Sequence, residues 1–381
     1  MTKADSTISN NRLFSGRGDS QTNNYHELPV IDPGKLTSPQ HYLASEGLAA
    51  AVETALTLGM PLLLTGEPGC GKSQLAYRIA WELGFPGHPS SENRGHIRNP
   101  IRFQVKSTTE SRDLFYNFDT VGRFHAAQNT QFDPAAVSPE RYITYQGLGL
   151  AILRAKGRKG LYEINTERPI LSERQMSQLN DEPERAIVLL DEIDKAPRDV
   201  PNDILNEIES LEFMVPELEL TDPIRIEEQE NPYRPVVIIT SNSERDLPEA
   251  FLRRCVYYHV EFPPFVSDSD DEISVESIVI SRLGERYSGS DNLIREGLDL
   301  IAVLRDEVSD LNKAPGIAEI LNWFDYLDKL RNRPPYLSET VDSLSRLQRE
   351  DLVNSVKNTL LKTSEDQLRA EDLLKSIMDK K

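Results

Sequence analysis

Between residues 66 and 73 the chain reads Gly66-Glu67-Pro68-Gly69-Cys70-Gly71-Lys72-Ser73, three glycines closing on adjacent lysine and serine. Glycines let successive backbone N–H groups turn inward around phosphate oxygens, and a following helix adds the positive end of its dipole. Lys72 then reaches the β- and γ-phosphates, and Ser73 offers a hydroxyl to a magnesium ion. At average composition a chain this long produces the pattern by chance about once in a hundred, so a mere glycine-rich turn is the weaker reading. The apolar Leu62-Leu63-Leu64 before it and the helical segment from Gln74 to Leu83 after it supply the strand, loop and helix that such a site needs.

A second chemical group ends another apolar run. Ala186-Ile187-Val188-Leu189-Leu190 delivers Asp191-Glu192 to the end of a buried strand, where ligands of open α/β sheets bind. Asp191 would hold Mg²⁺, largely through water, because Mg²⁺ takes few protein carboxylates and keeps its hydration. Glu192 would polarise an attacking water as general base. The run Val236 to Thr240 ends in Ser241-Asn242, placing an amide at the same edge, where an Asx turn is the plainer alternative. Downstream, Phe251-Leu252-Arg253-Arg254-Cys255 offers two guanidiniums: either an ion-paired surface or an arginine finger for a neighbour's γ-phosphate.

These groups need a scaffold. Apolar runs at 62–64, 101–105, 186–190 and 236–240, separated by helical segments, imply a parallel sheet covered by helices on both faces. Beyond Phe262-Pro263-Pro264-Phe265 and the acidic stretch Ser267 to Glu272, the strand signal stops. Apolar residues three and four apart then predict helices over 275–283, 293–308, 317–330, 352–361 and 370–378. The expected organisation is a disordered polar tail over 1–24, an α/β nucleotide-binding core with inserts over 25–262, and an α-helical lid with C-terminal helices over 263–381.

Composition narrows the function. With 43 basic and 62 acidic residues the formal charge is −19, which weighs against wrapping nucleic acid. Two cysteines, Cys70 and Cys255, and six scattered histidines build neither a disulfide framework nor a metal cage. The chain starts without an apolar leader, and its most apolar stretch, Ala49 to Leu64, is interrupted by Glu53 and too short to span a bilayer. A soluble, cytoplasmic protein without a membrane partner is expected.

Taken together, the phosphate loop, Leu189 to Ala196, and Thr240-Ser241-Asn242 through Cys255 resemble a MoxR-type AAA+ ATPase of the helix-2-insert clade, over roughly Tyr42 to Leu330. The resemblance implies a P-loop AAA+ core with a small helical lid, ATP and Mg²⁺ as cofactors, and a homo-oligomeric ring, usually a hexamer. It further implies chaperone-like remodelling of a client protein, often one with von Willebrand A domains. Residues 66–74, through Gln74, would form the nucleotide loop; Ser73 and Asp191 the metal site; Glu192, Asn242 as sensor 1, and Arg254 with Arg253 the catalytic set. Lys72 and Asp191 lie well over a hundred residues apart, which leaves room for the family's insert between Thr108 and Lys159. The segment from Leu211 to Pro235 resembles the hairpin this clade carries before sensor 1. At the usual sensor 2 arginine the chain reads Lys313-Ala314-Pro315-Gly316, and lysine lacks arginine's planar fork.

Two other functions stay open on sequence alone: a nucleic-acid motor or GTPase of a related branch, and a nucleotide-dependent scaffold that does not hydrolyse. Cys70, near a helix N-terminus, could be an acidic, oxidisable thiol, but a small residue filling a variable loop position is the preferred reading.

Overall fold

The computed structural model describes residues 34, 36–83, 99–129, 137–164, 170–243, 245–267, 269, 272–284, 292–306, 311–331 and 346–370. The tail expected over 1–24 and nearly all of the helix expected over 370–378 lie outside them. The chain divides into two compact units: Tyr42–Phe262, and Pro263–Lys381 together with Met1–His41.

In the first unit, strands β1 (Leu62–Gly66), β2 (Ile101–Gln104), β5 (Ile187–Asp191), β8 (Val236–Thr240) and β9 (Val256–Val260) form one sheet in the order β2-β5-β8-β1-β9. Every pairing is parallel, with Leu62 opposite both Ile238 and Val256, and Val188 opposite both Ile101 and Val237. Side chains alternate between faces. Leu62, Leu64, Ile187, Leu189 and Ile238 meet helices α1 (Glu46–Leu58) and α2 (Lys72–Glu82) through Leu48, Ala55, Leu75, Ala76 and Ile79. On the other face, Leu63, Val188, Leu190, Val237 and Ile239 pack with Leu148, Ala151 and Ile152 of α4 (Gly147–Ile164). Burial on both faces is why β1, β5 and β8 read as unbroken apolar runs.

The fold is therefore a three-layer α/β sandwich. Ser45 opens α1 by accepting from the Leu48 amide at 3.3 Å, and Gly59 closes it in the left-handed region, at φ 65°.

Two small antiparallel sheets are added to the core. Strands β3 (Tyr116–Phe118) and β4 (Ile143–Tyr145) pair with α3 (Thr120–Asn129) between them in sequence, and β6 (Glu212–Phe213) pairs with β7 (Ile224–Arg225). Short helices α5 (Glu173–Met176), α6 (Val200–Asp203), α7 (Leu205–Ser210) and α8 (Glu249–Leu252) complete the unit. Helix α4 breaks at Gly157, whose φ of 65° and ψ of 168° leave the helical region. A Cβ there would lie 2.7 Å from the Glu182 carbonyl carbon. The break admits the 180–184 segment, with the Arg158 amide bonded to the Asn180 carbonyl and the Glu184 amide to that of Arg154.

Lys156, one residue before the break, donates to both carboxylate oxygens of Glu230 at 2.9 and 2.7 Å, and both side chains are buried. Breaking a buried pair strands a charge in a medium that solvates it poorly. Lys156→Met is expected to destabilise the chain by about 3–5 kcal/mol, and adding Glu230→Leu is expected to recover much of that loss. Urea unfolding midpoints of the single and double variants measure both effects.

The second unit is helical among its described residues: α9 (Val275–Leu283), α10 (Asn292–Arg305), α11 (Ile317–Arg331) and α12 (Arg346–Leu360). Helix α11 packs on α9 and α12, and buried Trp323 donates its indole N–H to Ser355 Oγ at 3.0 Å. Buried Asp366 accepts from the amides of Asn312 and Lys313 at 2.8 and 3.2 Å, fixing the turn ahead of α11.

Candidate functional site

The loop from Gly66 to Gly71 connects β1 to α2, and its backbone requires glycine. Gly66, Gly69 and Gly71 hold φ values of 141°, 81° and 92°, in the region where a Cβ is strained. Glu67, Pro68 and Gly69 form the exposed crest, Cys70 is half-buried, and Gly71 caps α2. A Cβ on Gly66 would lie 2.4 Å from the Val260 carbonyl oxygen of β9. Gly66→Ala is therefore expected to cost about 1–3 kcal/mol or more through backbone strain alone. That corresponds to a fall of about 5 °C in melting temperature for a unit of this size, read by circular dichroism.

Lys72, Ser73 and Gln74 open α2. Lys72 is buried and folds back on the loop, donating to the carbonyls of Gly66 and Glu67 at 2.8 Å each. Ser73 reaches across to β5, where its hydroxyl donates to Asp191 Oδ1 at 2.7 Å. The same oxygen accepts from Thr240 Oγ1 of β8, also at 2.7 Å. Asp191 Oδ2 accepts from Arg102 of β2 through Nε at 3.0 Å and Nη2 at 2.6 Å. Burial by itself raises the Asp191 carboxyl, but the Ser73 and Thr240 hydroxyls and the Arg102 guanidinium outweigh it and hold it below the usual carboxylate range.

Glu192 follows in the left-handed region at φ 61°, its amide held by Thr240 Oγ1 at 2.9 Å. Such a conformation is strained for a side-chain-bearing residue and turns the carboxylate away from the strand direction. Asn242 Nδ2 donates to Glu192 Oε1 at 3.2 Å, while Lys195 Nζ, at 2.6 Å, and Gln104 Nε2 donate to Oε2. Buried Asp194 accepts the Asn242 amide at 3.2 Å, so the segment after β5 fixes the segment after β8.

Lys72, Ser73, Asp191, Glu192 and Asn242, distant in sequence, thus meet at the C-terminal edge of the sheet. Arg253 and Arg254 bond elsewhere: Arg253 pairs with Glu249 one helical turn away, and Arg254 Nε donates to Glu209 Oε2 of α7 at 2.9 Å. Lys313 lies exposed in the helical unit.

Burial pushes the Cys70 thiol up, and the adjacent Lys72 ammonium only partly opposes this, which favours the plainer reading of Cys70 as a small residue filling the loop.

Sequence reasoning passed over Thr240, Arg102, Gln104, Lys195 and Asp194. Arg102 and Gln104 carried a signal: they alternate with Ile101, Phe103 and Val105, so one face of that strand is polar and shares the register face of Asp191. Thr240 gave less warning, since a strand-end threonine usually reports β propensity.

The donor set suits a hard divalent cation completed by phosphate oxygens. Ser73 and the Asp191 carboxylate both offer oxygens, and a hydroxyl that donates its proton to a carboxylate keeps lone pairs for a metal.

Comparison with known proteins places this arrangement. Among solved structures, a closed-state cryo-EM reconstruction of Hsp104 with ATPγS and FITC-casein matches at 16% identity and a TM-score of 0.35. That match covers 79% of this chain, which spans only 46% of that one. No curated protein matches by sequence. Residues 61–255, just over half of the chain, match the AAA domain family of the dynein-related subfamily. The matched span starts at the residue before β1, ends at the residue after Arg254, and contains every strand-end group of the site, so the chain belongs to the AAA domain family, dynein-related subfamily.

Proposed function

We propose that the chain is a Mg²⁺-dependent ATPase of MoxR type that works as a homo-oligomeric ring, most simply a hexamer, remodelling a client protein in the cytoplasm. The observation that carries the hydrolytic reading is the convergence of the Ser73–Asp191 pair, 2.7 Å apart, with a Glu192 carboxylate oriented by Asn242. In this reading the core over 25–262 carries the chemistry and the helical lid over 263–381 responds to it.

The positive φ of Gly66, Gly69 and Gly71 lets the loop backbone turn its N–H groups toward phosphate oxygens. Lys72 exchanges its two carbonyl partners for β- and γ-phosphate oxygens, the stronger acceptors because they are charged. Ser73 and Asp191 would hold Mg²⁺, which when bound would supply positive charge to offset that of the phosphate oxygens. Glu192 takes a proton from the attacking water, and Asn242 keeps that carboxylate in line. Arg254 releases Glu209 and reaches a neighbouring subunit's γ-phosphate, with Arg253 as the alternative donor. In the described residues no helix is long and apolar enough to cross a membrane. A von Willebrand A domain is the first client class to test.

The ring requirement is checked by ATPase rate against protein concentration. Specific activity is expected to rise as subunits assemble, and Arg254→Ala is expected to lose about 10³-fold at saturating concentration. A rate independent of concentration and untouched by the substitution would defeat the claim that Arg254 acts between subunits.

A further inference from the structure

We infer that Arg102 is a resident counter-cation on Asp191 which a divalent metal must displace, so that the guanidinium sets the metal concentration at which the site fills. The inference rests on the reading of Ser73 and Asp191 as the metal site. The two oxygens of Asp191 are used differently. Oδ1 accepts from the hydroxyls of Ser73 and Thr240, an arrangement that leaves the Ser73 lone pairs to a cation. Oδ2 accepts two N–H groups of one guanidinium, at 3.0 and 2.6 Å. Since Mg²⁺ and Mn²⁺ reach a single carboxylate largely through retained waters, Oδ2 is the oxygen such a water needs as acceptor.

A guanidinium cannot accept a hydrogen bond and repels a dication, so the two occupants exclude one another. Arg102 is placed to leave. It projects from β2, one of the two edge strands of the sheet, and its side chain is 51% exposed against 4% for Asp191. Gln104 steadies the closed position by accepting from Arg102 Nη2 at 2.8 Å, and its amide nitrogen donates to Glu192. Departure of Arg102 therefore also frees one side of an amide that holds the general base.

The cost of displacement follows from how fully Arg102 occupies Asp191: apparent metal affinity falls by the fraction of chains in which the carboxylate is free. A partly exposed pair of this kind is expected to lower metal affinity about fivefold.

The test uses the intact chain with saturating ADP, and reads the free Mn²⁺ concentration that half-saturates it from the electron paramagnetic resonance signal of unbound Mn²⁺. Arg102→Gln is expected to lower that concentration about fivefold. Arg102→Lys, which keeps the charge but loses the fork, is expected to lower it by about twofold, and carries the test should the glutamine variant fail to fold. ADP affinity in EDTA is expected to stay within about twofold of wild type. An unchanged or raised Mn²⁺ half-saturation, or an equal shift of ADP affinity in EDTA, overturns the inference while leaving the metal site standing. A wild-type chain that takes up no Mn²⁺ with ADP overturns both.

Discussion

Glu192→Gln is expected to slow ATP hydrolysis by about 10²–10⁴-fold while leaving nucleotide binding close to wild type. Glutamine has the shape of glutamate and can still accept from Asn242 Nδ2, which lies 3.2 Å from Oε1 in the native site. It cannot take a proton from water at neutral pH. Phosphate contacts in this account belong to the 66–73 loop, so removing the base leaves them in place. The substitution also takes a carboxylate from Lys195, whose Nζ lies 2.6 Å from Oε2; that pair is partly exposed and contributes about 1 kcal/mol or less. Labelled ATP retained on the variant, with phosphate release followed in parallel, separates the two effects. A variant that turns over ATP at near the native rate removes Glu192 from the role of base.

The complementary substitution acts on binding. Lys72→Ala is expected to weaken ATP and ADP binding by about 10²-fold, because a charge-assisted hydrogen bond contributes about 1.5–3 kcal/mol and 1.4 kcal/mol is tenfold in affinity. In the native chain Lys72 also ties down the carbonyls of Gly66 and Glu67, so its removal loosens the loop that has to be ordered for phosphate. Lys72→Arg is not a rescue: a planar fork does not fit the buried position of a point-charge ammonium. Titration calorimetry with Mg²⁺-ADP measures the loss. The two substitutions should divide cleanly, Lys72→Ala weakening occupancy and Glu192→Gln slowing turnover of an occupied site.

Much of this was legible because the chemistry sits at the ends of strands buried on both faces. Leu62 to Leu64, Ile187 to Leu190 and Val236 to Thr240 show as continuous apolar runs, and the residues that follow them converge at one sheet edge as the proposed site. Strand β9 was missed for the opposite reason. It lies at the sheet edge with Tyr257 and His259 exposed, so Val256-Tyr257-Tyr258-His259-Val260 lacks an unbroken apolar signature, and only Cys255 separates it from two arginines. The break at Gly157 was invisible as well, since only the approach of the Asp181 to Pro183 backbone explains why a glycine must stand there. Within the site, motifs located the carboxylates and the amide, whereas the hydroxyl of Thr240 and the guanidinium of Arg102 acquire meaning only through register. Parallel pairing sets Arg102 opposite Leu189 and Gln104 opposite Asp191, a relation across more than eighty residues that no local pattern encodes.

The central claim is that Lys72, Ser73, Asp191, Glu192 and Asn242 form a working hydrolytic site. Its most direct test is single-turnover phosphate release from Mg²⁺-ATP by the intact wild-type chain at concentrations that drive assembly. The account predicts release of one phosphate per bound ATP, abolished by EDTA. Stable ATP binding without phosphate release, at every protein concentration and with Mg²⁺ present, would contradict it.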